Sequence, residues 1–183
     1  MPYWNYLGTV ALFVVATSAP AQDVSSGPDK DAKVPALKVF DATGPNKDKE
    51  VDYAAERKDK PTIYLLVRAD KFDRPMNRFM KGLDGQVKRD SEDTYVVAVW
   101  LTDDVEKAKE RLPAVQQSVQ YENTALTIFT EVKDGPKGWN ANADAHLTVV
   151  LANKGKVAST FGYQSVNETD VKPVRAAFQK SLK

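Results

Sequence analysis

The chain has 183 residues, 42% of them hydrophobic and 28% charged, with 26 Lys and Arg against 25 Asp and Glu. That length suits one packed domain with a short leader and is too small for two full domains. Its charges are interspersed and net to +1, which argues against a polyanion such as nucleic acid as partner, and with no cysteine the chain has neither disulfides nor a thiolate.

Residues 1–21, MPYWNYLGTVALFVVATSAPA, carry no charged side chain. An apolar run from Leu7 to Ala16 leads to small residues ending Ala19-Pro20-Ala21, the pattern of a secretory signal peptide cut after Ala21. The run falls short of the ~20 apolar residues a spanning helix needs, so the expected product is exported, periplasmic or extracellular, with no stable membrane span after cleavage. The rival reading is an uncleaved anchor, because no Lys or Arg precedes the run. Residues 22–33, QDVSSGPDKDAK, are polar and hold Gly and Pro, which predicts a flexible linker, with the folded domain spanning 34–183.

Within that domain, VPALKVFDATG predicts a short strand closed by a turn at Thr43-Gly44. The following polar stretch to Pro61 predicts a surface connection with a weak strand or turn near Val51 to Tyr53. TIYLLVRA, a nearly continuous apolar run, predicts a strand covered on both faces. A helix is expected to start near Asp73 or Pro75, with Met76, Phe79, Met80, Leu83 and Val87 on one stripe. TYVVAVWLT predicts a second buried strand. In the helix after Asp103-Asp104, Val105, Ala108, Leu112 and Val115 face the core and Pro113 is expected to kink or end it. ALTIFT predicts a third central strand, and EVKDGPKGWNANADA a loop. HLTVVLANKGKVASTFGY predicts a β-hairpin turning at Asn153 to Lys156. From Asn167 onward a terminal helix places Val171, Val174, Phe178 and Leu182 on one face. This order predicts an α/β fold, a three-layer α/β/α sandwich with a central mixed sheet.

The opening VPALKVFDATG, the strand KPTIYLLVRA before a corner, and HLTVVLANKGKV with Thr148 and Gly155 together resemble the redoxin group of thioredoxin-like proteins, which includes thiol peroxidases and secreted thiol-disulfide oxidoreductases. The resemblance covers Val34 to Lys183. It implies that the Cys-x-x-Cys corner of that group falls on Phe72-Asp73-Arg74-Pro75, and that its cis-proline falls on His146, where a trans bond is expected because a non-proline cis bond costs about 3 kcal/mol. Phenylalanine supplies no thiolate to attack a disulfide and no sulfur to accept oxygen from a peroxide. No catalytic residue follows from this corner.

Lys71 and Arg74 beside a helix N-terminus suit an anion, while Asp70 and Asp73 equally suit capping and pairing with those cations. Trp139, in the Gly-rich loop, is a candidate for the rim of a groove with Phe72, though core packing is the favoured account of it. His146 is the sole histidine, so multi-histidine metal sites are excluded, and no metal or other cofactor is expected. No serine sits in a nucleophile-elbow pattern, and no glycine-rich phosphate motif is present. The expected function is a non-catalytic binding or interaction module for a protein or small-molecule partner. It would act through Lys71, Phe72, Asp73, Arg74, Pro75, Trp139 and His146. The alternatives are a divergent oxidoreductase working without its own thiol and a structural accessory subunit of an envelope complex.

Overall fold

A computed structural model describes residues 24–131 and 134–183, so the expected leader, 1–21, lies outside the described residues. The elements in order are β1 (Lys38–Asp41), β2 (Lys49–Asp52), α1 (Tyr53–Arg57), β3 (Thr62–Arg68), α2 (Arg74–Asp90), β4 (Tyr95–Leu101), α3 (Val105–Val119), β5 (Thr124–Phe129), β6 (Leu147–Asn153), β7 (Lys156–Tyr163) and α4 (Val171–Ser181). They build one mixed sheet in the order β2-β1-β5-β4-β3-β6-β7. Strands β3, β4 and β5 run parallel, and β1, β6 and β7 pair antiparallel.

The continuous apolar runs of β3 and β4 are explained by burial on both faces. Ile63, Leu65, Val67, Val96, Ala98 and Trp100 point to one core, whereas Tyr64, Leu66, Val97, Val99 and Leu101 point to the other. The crossovers β3–α2–β4 and β4–α3–β5 step in the same direction along the sheet, so their common hand sets α2 and α3 on the same face. Helix α4 joins them there through Val171, Val174 and Phe178. The opposite layer is thin, made of α1, the loop bearing Trp139 and the strand-preceding residues Val34 and Leu37.

Helix α2 starts where the sequence predicts. Asp73 caps it, its Oδ1 accepting the Met76 N–H at 2.9 Å, and Pro75 occupies the first turn. The two glycines do not interrupt it. At Gly82 a side chain would meet Val171 Cγ2 at 2.9 Å, so this glycine lets the start of α4 approach α2 closely.

One expectation is corrected by the fold and two are sharpened. Residues 24–33 are no free linker: Asp31 N–H donates to Val157 C=O at 2.8 Å, Val157 N–H to Ala32 C=O at 2.9 Å, and Ser26 Oγ lies 2.6 Å from Thr148 Oγ1. The edge of β7 offers those backbone partners, which composition alone does not reveal. Pro113 does not end α3, because Leu112 and Val115 anchor the helix to the core on either side of the missing N–H. The weak strand expected near Val51 is present as β2, and the connection then continues into a short helix, α1, capped by Asp52 Oδ1 accepting the Ala55 N–H at 3.1 Å.

The end of α2 is tied to α4 by Asp90, whose side chain is 2% exposed and receives both Arg175 Nε and Nη2 at 2.7 Å and Gln179 Nε2 at 2.7 Å. Burial by itself would raise the Asp90 pKa, but hydrogen bonds from Arg175 and Gln179 hold it below the usual carboxylate range. A carboxylate depressed in the folded state adds stability above its unfolded pKa and loses it as pH falls through the folded one. Asp90→Asn is expected to cost about 1–3 kcal/mol at neutral pH. Thermal melting from neutral pH down should show that difference shrinking once pH drops below about 4; a gap that stays constant would contradict it.

Candidate functional site

The corner after β3 is built by a short 3₁₀ turn, Ala69–Lys71, leading through extended Phe72 into the Asp73 cap of α2. Phe72 is half-buried, and its ring stands edge-on to Trp100, with centroids 5.1 Å apart at 62°. The Arg111 guanidinium of α3 lies 6.0 Å from the centroid of the same ring. Phe72 therefore bridges β4, α2 and α3 as a packed wedge. Lys71 pairs with Asp70 at 3.4 Å, and Asp73, Arg74 and Pro75 are exposed.

His146 lies close by along the sheet but plays a backbone part. Its N–H donates to Tyr163 C=O at 2.8 Å and its C=O accepts the Arg68 N–H at 3.0 Å, and the described peptide bonds are all trans. Those two bonds extend the β6 ladder by one residue and hold the end of β3, so the trans bond expected at His146 is present.

Trp139 follows the favoured core account, and its candidacy for the rim is what the structure corrects. It does not rim this corner: it is fully buried in the thin layer on the other face of the sheet, edge-on to Tyr64 at 5.0 Å, and its Nε1 donates to Ala36 C=O at 3.0 Å. An indole that finds both an aromatic partner and an acceptor inside is more stable there than at a wet rim. The sequence places Trp139 in a Gly-rich loop, and only the path of that loop across the sheet decides which side it covers.

Two depressions sit at the carboxyl ends of β3 and β4, next to Phe72. One, about 220 Å³, has Trp100, Ala108 and Leu112 at its base and Asp70, Asp104, Lys107 and Arg111 around it. The other, about 370 Å³, adds Arg68, Lys71, Leu101, Asp103 and Ala143, and the two share Ala69, Asp70, Thr102 and Asp104. Neither is lined by His146. Asp104 is engaged as the cap of α3, its Oδ1 accepting the Lys107 N–H at 3.1 Å. Among the described residues no cluster of three or more His, Asp or Glu is placed to hold a metal ion. Thr102, Lys107 and Arg111 line these depressions without any marker in the local sequence. The signal available for them was the general preference of ligands for the crevice beyond the carboxyl ends of parallel strands.

No family model and no curated protein matches this sequence. Solved structures do match. The Chlorobium tepidum protein described as thiol:disulfide interchange protein DsbE shares 18% identity at a TM-score of 0.59, covering 85% of this chain and 99% of its own. Peroxidoxin BcpB from Mycobacterium tuberculosis shares 9% at 0.59, covering 84% and 97%. A DsbF homologue from Corynebacterium diphtheriae shares 15% at 0.59, covering 93% and 99%.

The chain has the thioredoxin fold of the redoxins. Its 183 residues include no cysteine. At this corner an aromatic wedge stands between Trp100 and Arg111, and with no cysteine in the sequence thiol-disulfide exchange and thiol-based peroxide reduction by this chain are chemically closed. Among the described residues no helix is long and apolar enough to cross a membrane.

Proposed function

We propose that the protein is an exported, non-catalytic thioredoxin-fold module that binds a partner through the surface around its cysteine-free corner. The observation that carries this reading is Phe72, packed edge-on against Trp100 with Arg111 at its face, beside two depressions at the ends of β3 and β4. The corner keeps the layout of a redoxin active site, a strand end followed by a capped helix, and replaces its reactive group by a recognition surface. Lys71, Arg74, Lys107 and Arg111 give that surface cations, and Asp70, Asp73, Asp103 and Asp104 give it carboxylates. A mosaic of both signs around an aromatic suits a protein partner better than a small anion. The export part of the proposal rests on the uncharged apolar leader ending at Ala21.

The test is affinity capture from envelope extracts with wild type, Arg74→Ala and Arg111→Ala. Both arginines are exposed, so each change is expected to leave stability within about 0.5 kcal/mol. Recovery of the specific partner should fall at least about tenfold for one of them, which is 1.4 kcal/mol of binding. Equal recovery of every captured protein would remove this surface from contention. Insulin or peroxide reduction by the purified protein without added metal or cofactor would overturn the non-catalytic part independently.

A further inference from the structure

Away from the corner, α4 packs across β7 at the edge of the sheet and leaves a groove of about 730 Å³, within the usual size of small-molecule sites. Pro173, Ala176, Ala177 and Lys180 recur at helical spacing along the α4 wall, while Phe161, 8% exposed, and Ala158 supply the β7 wall. From Pro173 to Lys180 the stripe runs roughly 10 Å at 1.5 Å per residue. It is apolar at one end and cationic at the other.

The cationic end gathers four lysines from three parts of the chain. Lys154 lies in the turn joining β6 to β7 and Lys156 opens β7, Lys180 comes from the last turn of α4, and Lys30 is brought in by the bond from Asp31 N–H to Val157 C=O. Asn153 Nδ2 donates to Ser181 C=O at 2.6 Å and fixes the turn against the helix end. Asp31 is the carboxylate among the lining residues, and among the described residues none of the four lysines makes an ion pair.

We propose that this groove binds a fatty acid, with its carboxylate among Lys30, Lys154, Lys156 and Lys180 and its tail along Phe161 and the α4 stripe. An apolar tail brings no polar group to satisfy. An extended acidic peptide would set its backbone N–H and C=O groups against α4, whose own backbone is committed to internal bonds, and such unpaired groups are costly. The charge asymmetry selects the head: an anion gains where an ammonium is repelled.

Decanoate titrated calorimetrically into the purified protein at low salt and near-neutral pH tests this. Saturable single-site binding is expected, and decyltrimethylammonium, with the same tail and the opposite head, should bind at least about tenfold more weakly. Ala176→Trp places a bulky ring in the groove from an exposed position and should weaken decanoate at least about tenfold, as should Lys156→Glu with Lys180→Glu, each checked for folding by melting. The proposal fails if no saturable decanoate binding occurs, if both head groups bind equally, or if Ala176→Trp binds like wild type. Binding of an acidic peptide or of anionic vesicles without decanoate binding also overturns it. These variants lie outside the corner, so the outcome here and that of the partner capture are separate.

Discussion

Replacing Trp139 by alanine is expected to destabilise the protein by about 3–5 kcal/mol, the usual cost of deleting a buried indole. The side chain is 0% exposed and is among the largest fully buried ones, and its removal takes away both the Tyr64 contact at 5.0 Å and the donor to Ala36 C=O. That carbonyl precedes Leu37, itself fully buried, so the cavity would open beneath the segment entering β1. Trp139→Phe keeps most of the ring and loses the N–H, and should cost about 1–2 kcal/mol. Urea denaturation of wild type and both variants checks the series. A loss below about 0.5 kcal/mol for the alanine variant would place Trp139 at the surface, as the sequence alone allows.

Asp84 carries the second large effect. It is a fully buried carboxylate on α2 facing the connection between α3 and β5. Its Oδ1 accepts the Asn123 N–H at 2.7 Å and the Thr124 hydroxyl at 2.8 Å, and its Oδ2 accepts the Glu122 N–H at 3.0 Å with Lys81 Nζ at 3.4 Å. Removing the carboxylate leaves two backbone N–H groups and a hydroxyl without their acceptor, at about 1–3 kcal/mol each, whereas Lys81 keeps the Gln120 C=O at 2.7 Å. Asp84→Ala should therefore lower the melting temperature by about 10 °C or more at this chain length. Asp84→Asn keeps the volume but turns one acceptor into a donor facing donors, so it should fall between alanine and wild type. A melting temperature within about 2 °C of wild type for Asp84→Ala would show that water replaces the carboxylate without cost.

A second buried carboxylate shows how much local pattern can reveal. Asp41, at the end of β1, accepts the Gly44 N–H at 2.6 Å, the Asn46 N–H at 2.9 Å and the Tyr53 hydroxyl at 2.7 Å. The turn at Thr43-Gly44 is legible because its partners lie within a few residues. Asp84 is not, because its donors lie 38 to 40 residues away and look like ordinary loop residues in sequence.

The sequence by itself determined the strands, their near-complete burial, the cap and stripe of α2, the hairpin turn, and the chemical emptiness of the corner. Each of these depends on local periodicity, on capping within a few residues, or on the plain count of cysteines. Tertiary structure alone decided that three helices crowd one face while a loop and a short helix cover the other, since face assignment follows the direction of successive crossovers rather than any residue pattern. It also decided that Trp139 belongs to the core, that residues 24–33 line the edge of β7, and that four lysines distant in sequence meet beside α4. Such contacts depend on how the chain returns upon itself, and side-chain chemistry read in order along a line carries no record of that path.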